Sequence, residues 1–176
     1  MMPVDLVRKL RREPVFEPAA LDRGKAALMA AIQREAAPRR APTIVPQLPY
    51  LNLHAALEFL QRAFGFREIP ATRIVTPDGV FVHAMVEFGG GVIGIGEQGG
   101  HGAVSPQTGG SESQYISVYV DDVEAHHERA VAAGARIANG LRDYFWGAEG
   151  HRTYEALDPE GHRWRFHQML RTEETR

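Results

Sequence analysis

The 176-residue sequence contains no cysteine, which removes disulfides, thiolate metal sites and cysteine nucleophiles from consideration. It also lacks an excess of charge of either sign. Twenty basic against 22 acidic side chains leave −2, so no global positive field draws nucleic acid or an anionic lipid surface. No run approaches the ~20 apolar residues of a membrane span. The amino terminus, MMPVDLVRKLRREPVFEP, has charges where a secretory leader needs an apolar stretch. The expectation is a soluble, cytoplasmic protein with no nucleic-acid or membrane partner, whose partner is a small-molecule ligand. The length excludes two large independent domains but leaves room for two small repeated halves sharing a core.

What is there divides by texture. Residues 1–42 are rich in Ala, Arg and Leu. Leu21, Ala27, Leu28, Ala31 and Ile32 recur at helical spacing before Pro38 and Pro42, which predicts an N-terminal helical arm. From Thr43 the pattern turns αβ. TIVPQLPYL reads as a strand, HAALEFLQRAF as a helix ended by Gly65, and REIPATRIV, VFVHAMVEF and VIGIGE as three further strands. A Gly-, Ser- and Gln-rich stretch, 98–113, reads as a linker, and the order then starts again. YISVYV is a strand, DDVEAHHERAVAAG a helix with an Asp cap, and ARIANG, TYEALD and RWRFHQ the closing strands, with 169–176 as a tail. The glycines ending the two helices, Gly65 and Gly134, lie 69 residues apart, and the turns at Gly91 and Gly161 lie 70 apart. A near-constant offset argues for duplication of one βαβββ module, the first at 43–97 and the second at 114–168.

The strings AFGF, VDDV followed by AVAAGA, and DPEGHRW, in that order, resemble the glyoxalase / bleomycin-resistance / dioxygenase family, the vicinal oxygen chelate superfamily. The likeness covers 43–168 and runs nearest to the short proteins similar to the one encoded with phosphonate genes. It implies an α+β fold in which two tandem βαβββ modules form a curled mixed sheet around a ligand, often completed by a second subunit, so a homodimer is expected. Metal-using members carry one His, Gln or Glu ligand on the first and one on the fourth strand of each module. Carried over residue by residue, those positions fall on Val45, Gly94, Tyr115 and Arg165, with Gln114 the only adjacent donor. Val and Gly offer no side-chain donor and Arg is a permanent cation, so no metal and no other cofactor is expected.

Strand alternation assigns the lining of such a cup. Val82, Ala84, Val86 and Phe88 share an apolar face, leaving Phe81, His83, Met85 and Glu87 on the other. By the same rule Tyr115 and Tyr119, and Arg165 and His167, oppose apolar neighbours. Gln47 on the first strand, Glu155 in TYEAL and Trp146 in DYFWGAEGH complete the ligand-binding candidates, the last in an aromatic segment that reads as a loop at the mouth. Tyr144 and Phe145 in that segment add rings that could stack on a ligand. His83 and Glu87 are the catalytic candidates, but at about 13 Å along one strand they cannot share an ion. Arg165 suits an anion, held by two parallel hydrogen bonds, or an ion pair with Glu155 or Glu87. His126 and His127 point about 100° apart on a helix and read as solvent-facing. His151, Glu155 and His162 have no spacing with metal-binding logic. The function expected is small-molecule binding without the family's metal. The alternative is an enzyme of the same fold using unusual ligands or a metal-free acid–base pair.

Overall fold

A computed structural model describes residues 42–99, 102–109, 114–146 and 149–170, the side chain of Trp146 excepted. The expected arm, 1–42, lies outside them but for Pro42, as do the last six residues of the tail. The described elements are β1 (Gln47–Tyr50), α1 (Leu53–Phe64), β2 (Arg67–Val75), β3 (Phe81–Phe88) and β4 (Gly91–Glu97), then α2 (Pro106–Gly109), and then β5 (Tyr115–Tyr119), α3 (Val123–Ala132), β6 (Arg136–Trp146), β7 (Glu149–Leu157) and β8 (Arg163–Leu170). Two four-stranded mixed sheets result, ordered β1-β4-β3-β2 and β5-β8-β7-β6, the same topology twice. In each the first strand runs parallel to the fourth and the rest are antiparallel.

Local sequence explains the boundaries. Asn52 and Asp122 cap α1 and α3 by accepting from backbone N–H groups of the first turn, and Gly65 closes α1 in the left-handed conformation (φ 75°) that only a residue without Cβ adopts cheaply. β1 is shorter than the run 43–51 because Pro46 has no N–H to extend the ladder; its carbonyl accepts from Gly94 and pairing starts at Gln47. The described residues of DYFWGAEGH are strand, not loop. Tyr144 pairs with His151 and Phe145 with Gly150, so the aromatics extend β6 and β7 into a long hairpin. The stretch 98–113 contains α2 and the fully buried Ser105, and β8 runs on to Leu170.

The two modules join through their greasy faces. One core unites Leu48, Tyr50, Leu60 and Phe64 of the first with Tyr154, Trp164 and Phe166 of the second. The Phe64 ring meets Trp164 at 5.4 Å and Phe166 at 4.9 Å. The segment DPEGH fastens this join. Asp158 accepts from the Tyr50 hydroxyl (2.7 Å) and the Trp164 indole (3.2 Å), and Glu160 accepts from the N–H groups of Leu51 and Asn52 ahead of α1 and from Ser105. His162 Nε2 donates to the Pro49 carbonyl at 2.8 Å.

His126 corrects the expectation of a solvent-facing side chain: it is buried, 5% exposed, because α3 lays it against Phe64 and Phe166 at the join. Its Nε2–H donates to the Phe64 carbonyl (3.2 Å), which leaves Nδ1 to accept from the Tyr154 hydroxyl (2.6 Å). Burial drives its pKa down to about 4, partly opposed by the Phe64 hydrogen bond.

Candidate functional site

Since Trp164 and Phe166 point into the join, alternation turns Arg163, Arg165 and His167 of β8 to the far side of the sheet. Register then builds rows across the second module. Tyr119, His167, Thr153 and Arg142 form one row, and Ser117, Arg165, Glu155 and Asn139 the next. Tyr144 pairs with His151 at the row beyond. With Tyr115, and without Asn139 and Glu155, these side chains line a hollow of about 330 Å³; Glu155, the partner of Arg165 in its row, is 3% exposed beneath it.

The floor is an ion cluster. Glu155 accepts from Arg165 Nε (2.8 Å) and also from its Nη2, from Arg163 (2.9 Å) and from Asn139 (2.7 Å), with Arg142 at 3.7 Å. Burial alone would raise its pKa, but the bonds from Asn139, Arg165 and Arg163 outweigh it and hold the carboxyl below the usual carboxylate range. The Arg165 guanidinium lies 4.8 Å over the Tyr115 ring. Tyr119 stacks on His167 at 5.2 Å, and His151 meets both edge-on. Burial, then the charges of Arg165 and His151, push the pKa of His167 down, so its ring is neutral at pH 7. His151 Nδ1 and His167 Nε2 are buried without a hydrogen-bond partner. A buried imidazole nitrogen ordinarily has one.

Of the residues singled out in the sequence, Tyr115, Tyr119, Arg165 and His167 line this hollow and Glu155 supports it. Gln47, His83, Met85 and Glu87 do not: they sit on the polar face of the first module, where Gln47 shares a row with Gly94 and Met85, and His83 with Gly96. Glu87 pairs with Arg67 at 2.9 Å, leaving Glu155 as Arg165's partner. Phe81, expected in the lining, is core: it packs on His54 of α1 and lies under Arg73. The Trp146 side chain lies outside the described residues. Ser117 shares the face that alternation gives to Tyr115 and Tyr119, whereas Thr153 escaped the sequence reading although parity from Glu155 reaches it. Arg142 was out of reach, because register shifts after Ile137 and Asn139 break the alternation of β6.

Comparison with known proteins places the chain. The family model described as Glyoxalase/Bleomycin resistance protein/Dioxygenase superfamily matches residues 45–166. The chain belongs to this superfamily. Uncharacterized proteins of Mycobacterium bovis and Mycobacterium tuberculosis are each 30% identical over 134 residues, 74% of this chain and 85% and 76% of theirs. TioX from Micromonospora sp. ML1 superposes with a TM-score of 0.60 at 35% identity, covering 74% of this chain and all of TioX. A superfamily enzyme from Burkholderia phytofirmans PsJN shares the fold alone, at 22% identity, TM-score 0.54, and 70% and 95% coverage.

The superfamily's metal meets a poor donor set here. Register moves the first-strand corner from Val45 to Gln47, the partner of Gly94; a Cβ on Gly94 would overlap the Gln47 amide, which lies across the glycine. Register likewise moves the corner on β5 from Tyr115, which pairs with Arg163, to Ser117, the partner of Arg165, so the corners are one amide, one glycine, one hydroxyl and the guanidinium of Arg165. Two neutral oxygen donors beside a fixed cation do not suit a divalent ion. Among the described residues no three His, Asp or Glu side chains converge as a metal site.

Proposed function

We propose that the chain is a small-molecule-binding member of the superfamily that works without the divalent metal, and that the polar face of the second module holds the ligand. One observation carries this reading: a concave hollow of about 330 Å³ is walled by half-exposed tyrosines together with Arg142 and Arg165, which joins stacking surface to hydrogen-bond donors. The chemistry of the wall suits a small aromatic or anionic molecule. A homodimer accords with the superfamily's habit of completing its cup from a second subunit, and the AFGF and DPEGHRW strings support a place near the proteins similar to the one encoded with phosphonate genes. A cytoplasmic setting accords with the absence, among the described residues, of a helix long and apolar enough to cross a membrane.

A second reading, a metal-free enzyme, draws on an imidazole of the same hollow: neutral His167, with Nε2 unpartnered, has the protonation state of a general base. The deciding experiment is a thermal-shift screen of small aromatic and anionic compounds, repeated with EDTA. A ligand of the native state raises Tm by mass action. Stabilisation that survives chelation supports metal-free binding, and stabilisation abolished by EDTA refutes it. Turnover of a hit under EDTA, lost in His167→Gln, would move the conclusion to the enzyme.

A further inference from the structure

We infer that the hollow of the second module selects a planar aromatic anion, an aryl carboxylate in kind, over the neutral or cationic molecule of the same ring. The inference rests on the ligand-binding reading above and adds the sign of the charge. Two guanidiniums, Arg142 and Arg165, line the hollow, and among the described residues no carboxylate lines it with them. The single acid beneath, Glu155, is shared between both and is engaged by Arg163 as well, so even with Arg163 set aside one positive charge is uncompensated. In a partly enclosed pocket such a charge is screened less than on an open surface.

The rings set the shape of the ligand. Tyr115 and Tyr119 are each about half exposed, which leaves π-surface for stacking. Tyrosine faces also attract cations, but the face of Tyr115 already carries the Arg165 guanidinium, which would repel a second positive group. The Arg165 fork is held by two bonds to Glu155 Oε1, and such a pre-oriented guanidinium loses little freedom on meeting a carboxylate.

The test uses three naphthalene probes on the full chain: 2-naphthoate, 2-naphthalenemethanol and 2-naphthylmethylammonium, with affinities from titration calorimetry at low salt. Naphthoate is expected to bind about tenfold or more tighter than the alcohol, the effect of one charge-assisted hydrogen bond, with the ammonium compound weakest. Arg142→Met, at a site more than half exposed and so harmless to folding, should erase much of the preference by weakening naphthoate far more than the alcohol. Arg165→Met should erase more. Equal binding of naphthoate and alcohol refutes the charge selection and leaves the binding hollow standing. Tightest binding of the ammonium compound refutes it also, by reversing the sign. If no probe binds, both the selection and the ring-binding hollow fall.

Discussion

The buried imidazole of His126 makes a quantitative acid-lability prediction. In the folded chain its pKa is about 4, against an ordinary 6.5. The folded state therefore keeps it neutral through a range in which the unfolded chain takes up a proton, so stability is fully present above pH 6.5 and declines as pH falls toward 4. At about 1.36 kcal/mol per pH unit, that displacement amounts to about 3 kcal/mol, a large part of the roughly 5–15 kcal/mol that holds an ordinary domain folded. His167 titrates in the same direction, so wild type alone cannot isolate the effect. His126→Gln can, because glutamine offers a donor and an acceptor but never a charge. Urea unfolding of both proteins between pH 7.5 and 4 should show wild type ahead at neutral pH, by about 1–2 kcal/mol for better-placed hydrogen bonds. Its advantage should shrink and invert on acidification, moving by about 3 kcal/mol in all. Parallel curves would refute the assignment of a buried neutral imidazole at the join.

Three further outcomes follow from the geometry. Glu160→Gln should lose about 1–3 kcal/mol in urea unfolding, because a neutral amide replaces a carboxylate that accepts from two backbone N–H groups and a serine. Glu155→Gln should lower Tm, by about 1–2 kcal/mol of stability since its arginines are about a third exposed and can rehydrate. Because the carboxyl's pKa is held below 4.5, its contribution is present above that pH and fades as pH falls through the folded value, so the two Tm curves should converge in acid. Gly94→Ala should cost under about 1 kcal/mol, since the new methyl displaces only the end of the Gln47 side chain, whereas Gly65→Ala, at φ 75°, should cost about 1 kcal/mol or more.

The duplication was legible because it rests on local signals: helix-ending Gly65 and Gly134, the Asp122 cap and strict two-residue alternation in β3, β5 and β8 each act within a few residues. The lining on the second module followed wherever parity was unbroken, as at Tyr115, Tyr119, Arg165 and His167. What failed was non-local. The burial of His126 depends on a helix from the other module lying against it, and that of Phe81 on the start of α1 and on Arg73. The position of Gln47 rather than Val45 opposite Gly94 depends on a parallel register with a strand more than forty residues away, which no alternation pattern encodes.

The placement of both polar faces away from the shared core bears on how such a chain diversifies. Arg142, Tyr119 and His167 can be exchanged without touching a side chain that fastens one half to the other, and so can Met85 and His83 on the sister sheet. Each ancestral copy is thereby free to drift toward its own chemistry, the one thinned by glycine, the other crowded with phenol and guanidinium, on a scaffold indifferent to either.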